Sequence, residues 1–186
     1  NAVLALHSTP GNGKQFLHPT LVQELFVDGA PLDLAKYYVI LPDGLGRGDS
    51  SKPSDGLKGK FPRYGYADVV EGQHRLVTEG LGIKHLRLVM GTSMGGMQAW
   101  MWGERFPDAM DQLVAVASQP IQVSGRNALW RRLVIENIRN DPAYKGGDYT
   151  AQPSHFLKVL PIFNIMTESV LGLQKDAPTN DQARQL

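Results

Sequence analysis

A chain of 186 residues is one domain by the usual size prior and is long enough to bury a real core. Its 19 basic against 18 acidic residues leave a net charge of +1, so nothing in the charge balance favours nucleic acid or an anionic membrane as a partner. The absence of cysteine excludes disulfides, thiolate metal sites and a cysteine nucleophile, and leaves the compartment open between the cytoplasm and a periplasmic or secreted setting.

The sequence opens on Asn1 rather than methionine, and the apolar run Ala2–Leu6 is too short and lacks the flanks of a signal peptide. Its continuous apolar character predicts a strand buried on both faces of a parallel sheet. The turn-rich segment His7, Ser8, Thr9, Pro10, Gly11, Asn12, Gly13 follows, then a helix over 19–26 with Pro19 in its first turn. Residues 37–41 predict a second buried strand, and 43–62 a long loop rich in glycine and proline. Val69, Val70, Leu76, Val77 and Leu81 recur at near-helical spacing over 66–81, closed by Gly82 in the manner of a glycine just past a helix end.

A third strand is expected at 86–90, a helix at 94–106 ending before Pro107, and a fourth strand at 113–117. Strands alternating with helices predict an α/β fold with a parallel sheet built from right-handed βαβ units. After Pro120 the pattern turns helical, with Trp130, Leu133, Val134 and Ile138 on one face over 127–139 and a further helical run over 154–173 that Pro161 should break or kink. The expected division is a core over 1–120 and a helical cap over 121–186, lying over the C-terminal edge of the sheet. The longest apolar region, 156–166, is interrupted by Lys158, Pro161 and Asn164 and cannot span a bilayer.

The stretch Gly91-Thr92-Ser93-Met94-Gly95 is G-x-S-x-G set between an expected strand and an expected helix. In such a nucleophile elbow the serine stands on a strained turn at the helix N-terminus, and the flanking glycines let the two elements pass closely. The Met94 N–H and the helix dipole then favour an oxyanion at the same place.

With Gly91-Thr92-Ser93-Met94-Gly95-Gly96 the chain resembles the α/β-hydrolase superfamily, and two further segments agree. Asp43, Gly46, Gly48 and Ser50 match its D-x-x-G-x-G-x-S loop, and His7-Ser8-Thr9-Pro10-Gly11 is similar to its H-G-x-P-G oxyanion loop, with Ser8 in place of the glycine. The runs 93–99, 106–108, 138–142 and 146–149 resemble the homoserine O-acetyltransferase branch more narrowly. The resemblance implies an α/β-hydrolase fold with a mostly parallel sheet and a helical cap. It also implies acyl-enzyme chemistry at Ser93, with Met94 N–H as one oxyanion donor and Thr9 N–H as the other. Pro10 is excluded from that role because it has no N–H.

The hydrolase-style segment 42–48 points to hydrolysis of a carboxylic ester. The alternatives are acetyl transfer from acetyl-CoA to a hydroxyl such as that of homoserine, and a non-catalytic binding module on the same fold. A small-molecule ester or acyl donor is the expected partner, with no nucleic acid, no membrane and no cofactor; acetyl-CoA enters only as a co-substrate of the transferase alternative. A homo-oligomer is left open.

The base and the acid of a triad are harder to find. His7 belongs to the oxyanion loop, where the resemblance makes it structural; His18, His74 and His85 precede the nucleophile, and His155 falls in the expected cap. No carboxylate ends the fourth strand, where Ser118 and Gln119 stand. The resemblance implies further strands before Asn1 and two after the cap, with the acid following the first of those two and the histidine the second. The chain is therefore expected to be a piece of a longer protein, with base and acid outside it. Other motifs are weaker. Gly13-Lys14 lacks the remaining P-loop residues, Glu71 and His74 form half of a carboxylate metal pattern with no second copy, and no metal is expected. Arg126, Arg131, Arg132 and Arg139 read as a solvated helix face.

Overall fold

The computed structural model describes residues 1–185, which fall into two compact units: 1–57 with 61–122, and 58–60 with the residues from Val123 onward. The first unit contains four parallel strands, β1 (Ala2–Leu6), β2 (Tyr38–Ile40), β3 (Leu88–Thr92) and β4 (Leu113–Val116), in the order β2-β1-β3-β4. Register is fixed by pairs such as Val3 with Val39, Leu4 with Val89 and Gly91 with Ala115. β2 lies on one side of β1 and β3 on the other, so the strand order reverses between β1 and β3. In open α/β sheets the crevice at such a reversal, outside the carboxyl ends of the strands, is where ligands bind.

The strand period of two sorts β1 between two cores. Ala2, Leu4 and Leu6 face one with Val70, Val77, Val89, Ala99 and Trp102, and Val3 and Ala5 face the other with Phe16, Phe26 and Leu32. The first core is covered by α2 (Tyr66–Arg75) and α3 (Met94–Arg105), and the second by α1 (Pro19–Leu25) with the 3-10 turn Gly13–Leu17. At β4 only one face is covered. Leu113 packs on the first core while Val114 and Val116 stay exposed.

The helices end where local chemistry dictates. α2 stops at Arg75 and widens into a π-turn over Leu76–Gly80, with Leu81 N–H bonded to Leu76 C=O and Ile83 N–H to Val77 C=O around Gly82 at φ 66°. The expected run over 66–81 is thus one α-helix and one wider turn. α3 and α2 are tied by a buried chain in which Trp102 Nε1–H donates to Gln73 Oε1 at 3.0 Å and Gln73 Nε2–H to Gln98 Oε1 at 2.8 Å.

The second unit is helical: α4 (Gly125–Arg139), α5 (Ser154–Lys158), α6 (Leu160–Thr167), α7 (Val170–Asp176) and α8 (Asn180–Ala183). The helix expected over 154–173 is three helices. Pro161 sits in the first turn of α6, where its missing N–H costs nothing, and Ser169 caps α7 by accepting from Gly172 N–H. Trp130 packs edge-on against Phe163, ring centres 4.9 Å apart, joining α4 to α6. Asp141 accepts N–H bonds from Ala143 and from His155, which hold its carboxyl below the usual range, the His155 bond contributing most. No helix of the described residues is long and apolar enough to cross a membrane.

Candidate active site at the sheet reversal

Ser93 follows β3 directly and precedes the first residue of α3, with φ 55° and ψ −113°. A non-glycine residue with positive φ costs of order 1–3 kcal/mol and persists only where the surroundings enforce it. Here they do. Ser93 N–H donates to Val116 C=O on β4, and Ser93 C=O accepts the first helical bond from Met97 N–H, at 2.9 and 3.0 Å. A Cβ on Gly91 would overlap the backbone of Gly95, and one on Gly95 would overlap the carbonyl of Leu6. A Cβ on Gly96 would meet Ser118, whose buried hydroxyl has no hydrogen-bond partner among the described residues. Gly91 and Gly95 are thus required by close backbone approach, as the elbow motif predicts, and Gly96 by the Ser118 side chain.

The loop after β1 lies against the same helix terminus, since His7 C=O is 2.8 Å from where a Gly95 Cβ would stand. Both of its ends are pinned to the loop after β2. Gly44 N–H donates to His7 Nε2 at 2.9 Å, and Gly13 N–H to Asp43 Oδ1 at 2.7 Å. Because Nε2 accepts, His7 Nδ1 carries the proton and donates to Ser8 C=O at 2.8 Å, which fixes the neutral tautomer. Asp43 also accepts from Asp49 N–H at 2.6 Å. These two N–H bonds, the Asp49 one foremost, hold the Asp43 carboxyl below its ordinary value of 3.8 against the opposing effect of burial.

Within the loop, Ser8 N–H and Oγ–H both donate to Gln15 Oε1, at 2.9 and 2.6 Å, and Gly11 N–H donates to Ser8 C=O at 3.1 Å. Between Ser8 and Gly11, Thr9 therefore holds the one N–H without an acceptor among the described residues; Pro10 has none to give. Met94 N–H is likewise unused. Sequence reasoning did not single out Gln15. The only trace of it was Ser8 standing where the oxyanion-loop pattern has glycine.

Ser93 Oγ makes no hydrogen bond to any histidine of this unit. Both ring nitrogens of His7 are engaged. His74 stacks on Phe106 with centres 3.9 Å apart. His18 begins α1. His85 lies before β3, at the opposite edge of the sheet from Ser93, where Asp111 at 2.8 Å raises its pKa, helped by Asp108 C=O at 3.0 Å. A cleft of about 660 Å³ lined by Met97, Trp100, Met101 and Ile121 does not border Ser93. Among the described residues no group of three or more His, Asp or Glu side chains is placed to hold a metal ion.

Comparison with known proteins agrees with this architecture. The homoserine O-acetyltransferase of Thermobifida fusca is 34% identical over 167 residues, which is 82% of this chain and 44% of that protein. The ethyl acetate hydrolase of Pseudomonas veronii is 35% identical over 134 residues, 69% of this chain and 38% of that one. The crystal structure of the acetyl esterase MekB superposes with a TM-score of 0.78 at 31% identity, covering 94% of this chain and 51% of the esterase. The chain spans about half the length, or less, of these relatives. Residues 1–173 match the family described as alpha/beta hydrolase fold, and the chain belongs to that family.

Proposed function

We propose that Ser93 is the nucleophile of an acyl-transfer enzyme and that the reaction is hydrolysis of a small carboxylic ester through an acyl-enzyme. The observation that carries this reading is the conformation of Ser93: φ 55° at the N-terminus of α3, with its hydroxyl and the neighbouring Met94 N–H both unpaired among the described residues. In the reaction Oγ gives its proton to a base and bonds to the ester carbonyl carbon. The resulting oxyanion accepts from Met94 N–H and Thr9 N–H, and the C–O bond to the alcohol breaks as that alcohol takes a proton. Water then repeats the sequence on the acyl-enzyme and releases the acid.

We assign the base and its orienting acid to polypeptide beyond these 186 residues. His7 is committed at both nitrogens, and His85 stands at the far edge of the sheet. Without an imidazole to accept its proton a serine hydroxyl is a weak nucleophile, leaving only the oxyanion donors and binding to act.

Hydrolysis is supported by the glycine-rich segment 42–48 and by the relatives named ethyl acetate hydrolase and acetyl esterase. The relative named homoserine O-acetyltransferase favours a second reading, transfer of the acyl group to the homoserine hydroxyl. Partitioning of the acyl-enzyme separates the two. With a chromogenic acetyl ester as donor, free acid is expected to remain the main product when homoserine is added. Diversion of most of the acyl group to O-acyl-homoserine would establish the transferase reading instead, and no turnover of either kind by the full-length protein would leave a binding module.

A further inference from the structure

The Thr9 N–H belongs to the Ser8–Thr9 peptide, so its direction is set by whatever holds Ser8. The Ser8 carbonyl, at the opposite end of that peptide plane, accepts from His7 Nδ1–H at 2.8 Å and from Gly11 N–H at 3.1 Å. The remainder of Ser8 is held by one group alone, because its N–H and its hydroxyl converge on Gln15 Oε1 at 2.9 and 2.6 Å. A backbone N–H can only donate, so the oxygen and not the nitrogen of the Gln15 carboxamide must face it. Gln15 is itself fixed, its N–H donating to Asn12 C=O at 2.9 Å in the 3-10 turn Gly13–Leu17. Gly11 leaves the room this needs, since a Cβ there would overlap Gln15 Oε1.

From this geometry we infer that Gln15 is a positioning residue for the oxyanion donor Thr9, acting through Ser8. This inference rests on the reading of Ser93 as the nucleophile. The two donors from Ser8 and the single acceptor from Gln15 form a clamp suited to a serine at position 8. Residue 15 thereby sets where the developing negative charge is met without touching substrate. A donor moved by about 1 Å costs up to roughly a hundredfold in rate, and one removed outright costs about a hundred- to a thousandfold.

The test uses the full-length protein and three variants. Gln15→Met keeps side-chain length and removes the acceptor. Gly11→Ala leaves Gln15 in place but pushes its carboxamide aside. The third variant combines the two. Gln15→Met should lower kcat by roughly tenfold to a hundredfold with KM within about twofold, and slow fluorophosphonate labelling of Ser93 by the same factor. Gly11→Ala should reproduce this, and the double variant should be no slower than either single one, because both act on one contact. If Gln15→Met does not fold, Gly11→Ala carries the same expectation. Unchanged kcat and labelling rate, a rise in KM with kcat intact, or additive losses in the double variant would each overturn the role of Gln15. Ser93→Ala is assayed alongside. Labelling that survives there overturns the nucleophile reading itself and is distinguishable from a failure confined to Gln15.

Discussion

Gly95 and Leu6 meet backbone to backbone: a single methyl group on Gly95 would occupy the space of the Leu6 carbonyl oxygen. The first turn of α3 therefore lies directly on the C-terminal end of β1, which brings Ser93 and the Thr9 loop to the same point of the sheet. Gly95→Ala should force the two elements apart. Overpacking of this kind costs about 1–3 kcal/mol, and the displaced Met94 N–H should lower kcat as well. Denaturant unfolding with a parallel activity assay checks both. A variant with wild-type stability and rate would show that the contact is not needed.

The Trp102, Gln73 and Gln98 chain should matter for stability and not for chemistry. Gln73→Leu leaves the indole N–H of Trp102 and the Oε1 of Gln98 without partners in the core. An orphaned buried polar group costs about 1–3 kcal/mol, so the melting temperature should fall by several degrees. Activity per folded molecule should hold, because none of the three side chains is hydrogen-bonded to Ser93.

Asp43 supplies a pH signature. Its folded-state pKa lies below the ordinary 3.8, chiefly through the Asp49 N–H bond and also through Gly13 N–H. A depressed carboxylate contributes stability that is fully present above the unfolded pKa and is lost as the pH falls through the folded one. The expected window is pH 4 and below, on the ordinary carboxylate scale. Asp43→Asn should destabilise the protein at neutral pH and flatten the acid limb of its stability curve relative to the parent. Thermal melts across that range measure the difference between the two proteins, so other carboxylates cancel. Parallel curves would mean that Asp43 does not pin the loop.

How much of this was legible in the sequence follows from burial and spacing. β1 could be read to the residue because Ala2, Val3, Leu4, Ala5 and Leu6 are all buried, the pattern of a strand covered on both faces, and the turn-rich segment from His7 bounds it too short for a helix. The elbow was legible because its glycines are demanded by backbone contacts that any side chain would break. The end of α2 was not, since Val70 and Val77, seven residues apart, suit an α-helix and a widened last turn alike. The break before α6 was legible at Pro161, whereas the one before α7 falls at the Ser169 cap, which a count of apolar residues does not weigh. Gln15 left no periodic mark because it works from a short 3-10 turn through one carbonyl oxygen. Thr9 could be assigned from the sequence only by resemblance. Its free N–H becomes visible once the bonds of Ser8 and Gly11 are traced.

The nucleophile assignment is tested most directly by intact-mass measurement of the full-length protein after exposure to a fluorophosphonate, followed by peptide mapping. One phosphonyl group is expected, on Ser93, formed at a rate that a competing ester substrate reduces, with no adduct in a correctly folded Ser93→Ala variant. Modification at another residue, or equal labelling of Ser93→Ala, would contradict the assignment of Ser93 and with it the acyl-enzyme chemistry built on it.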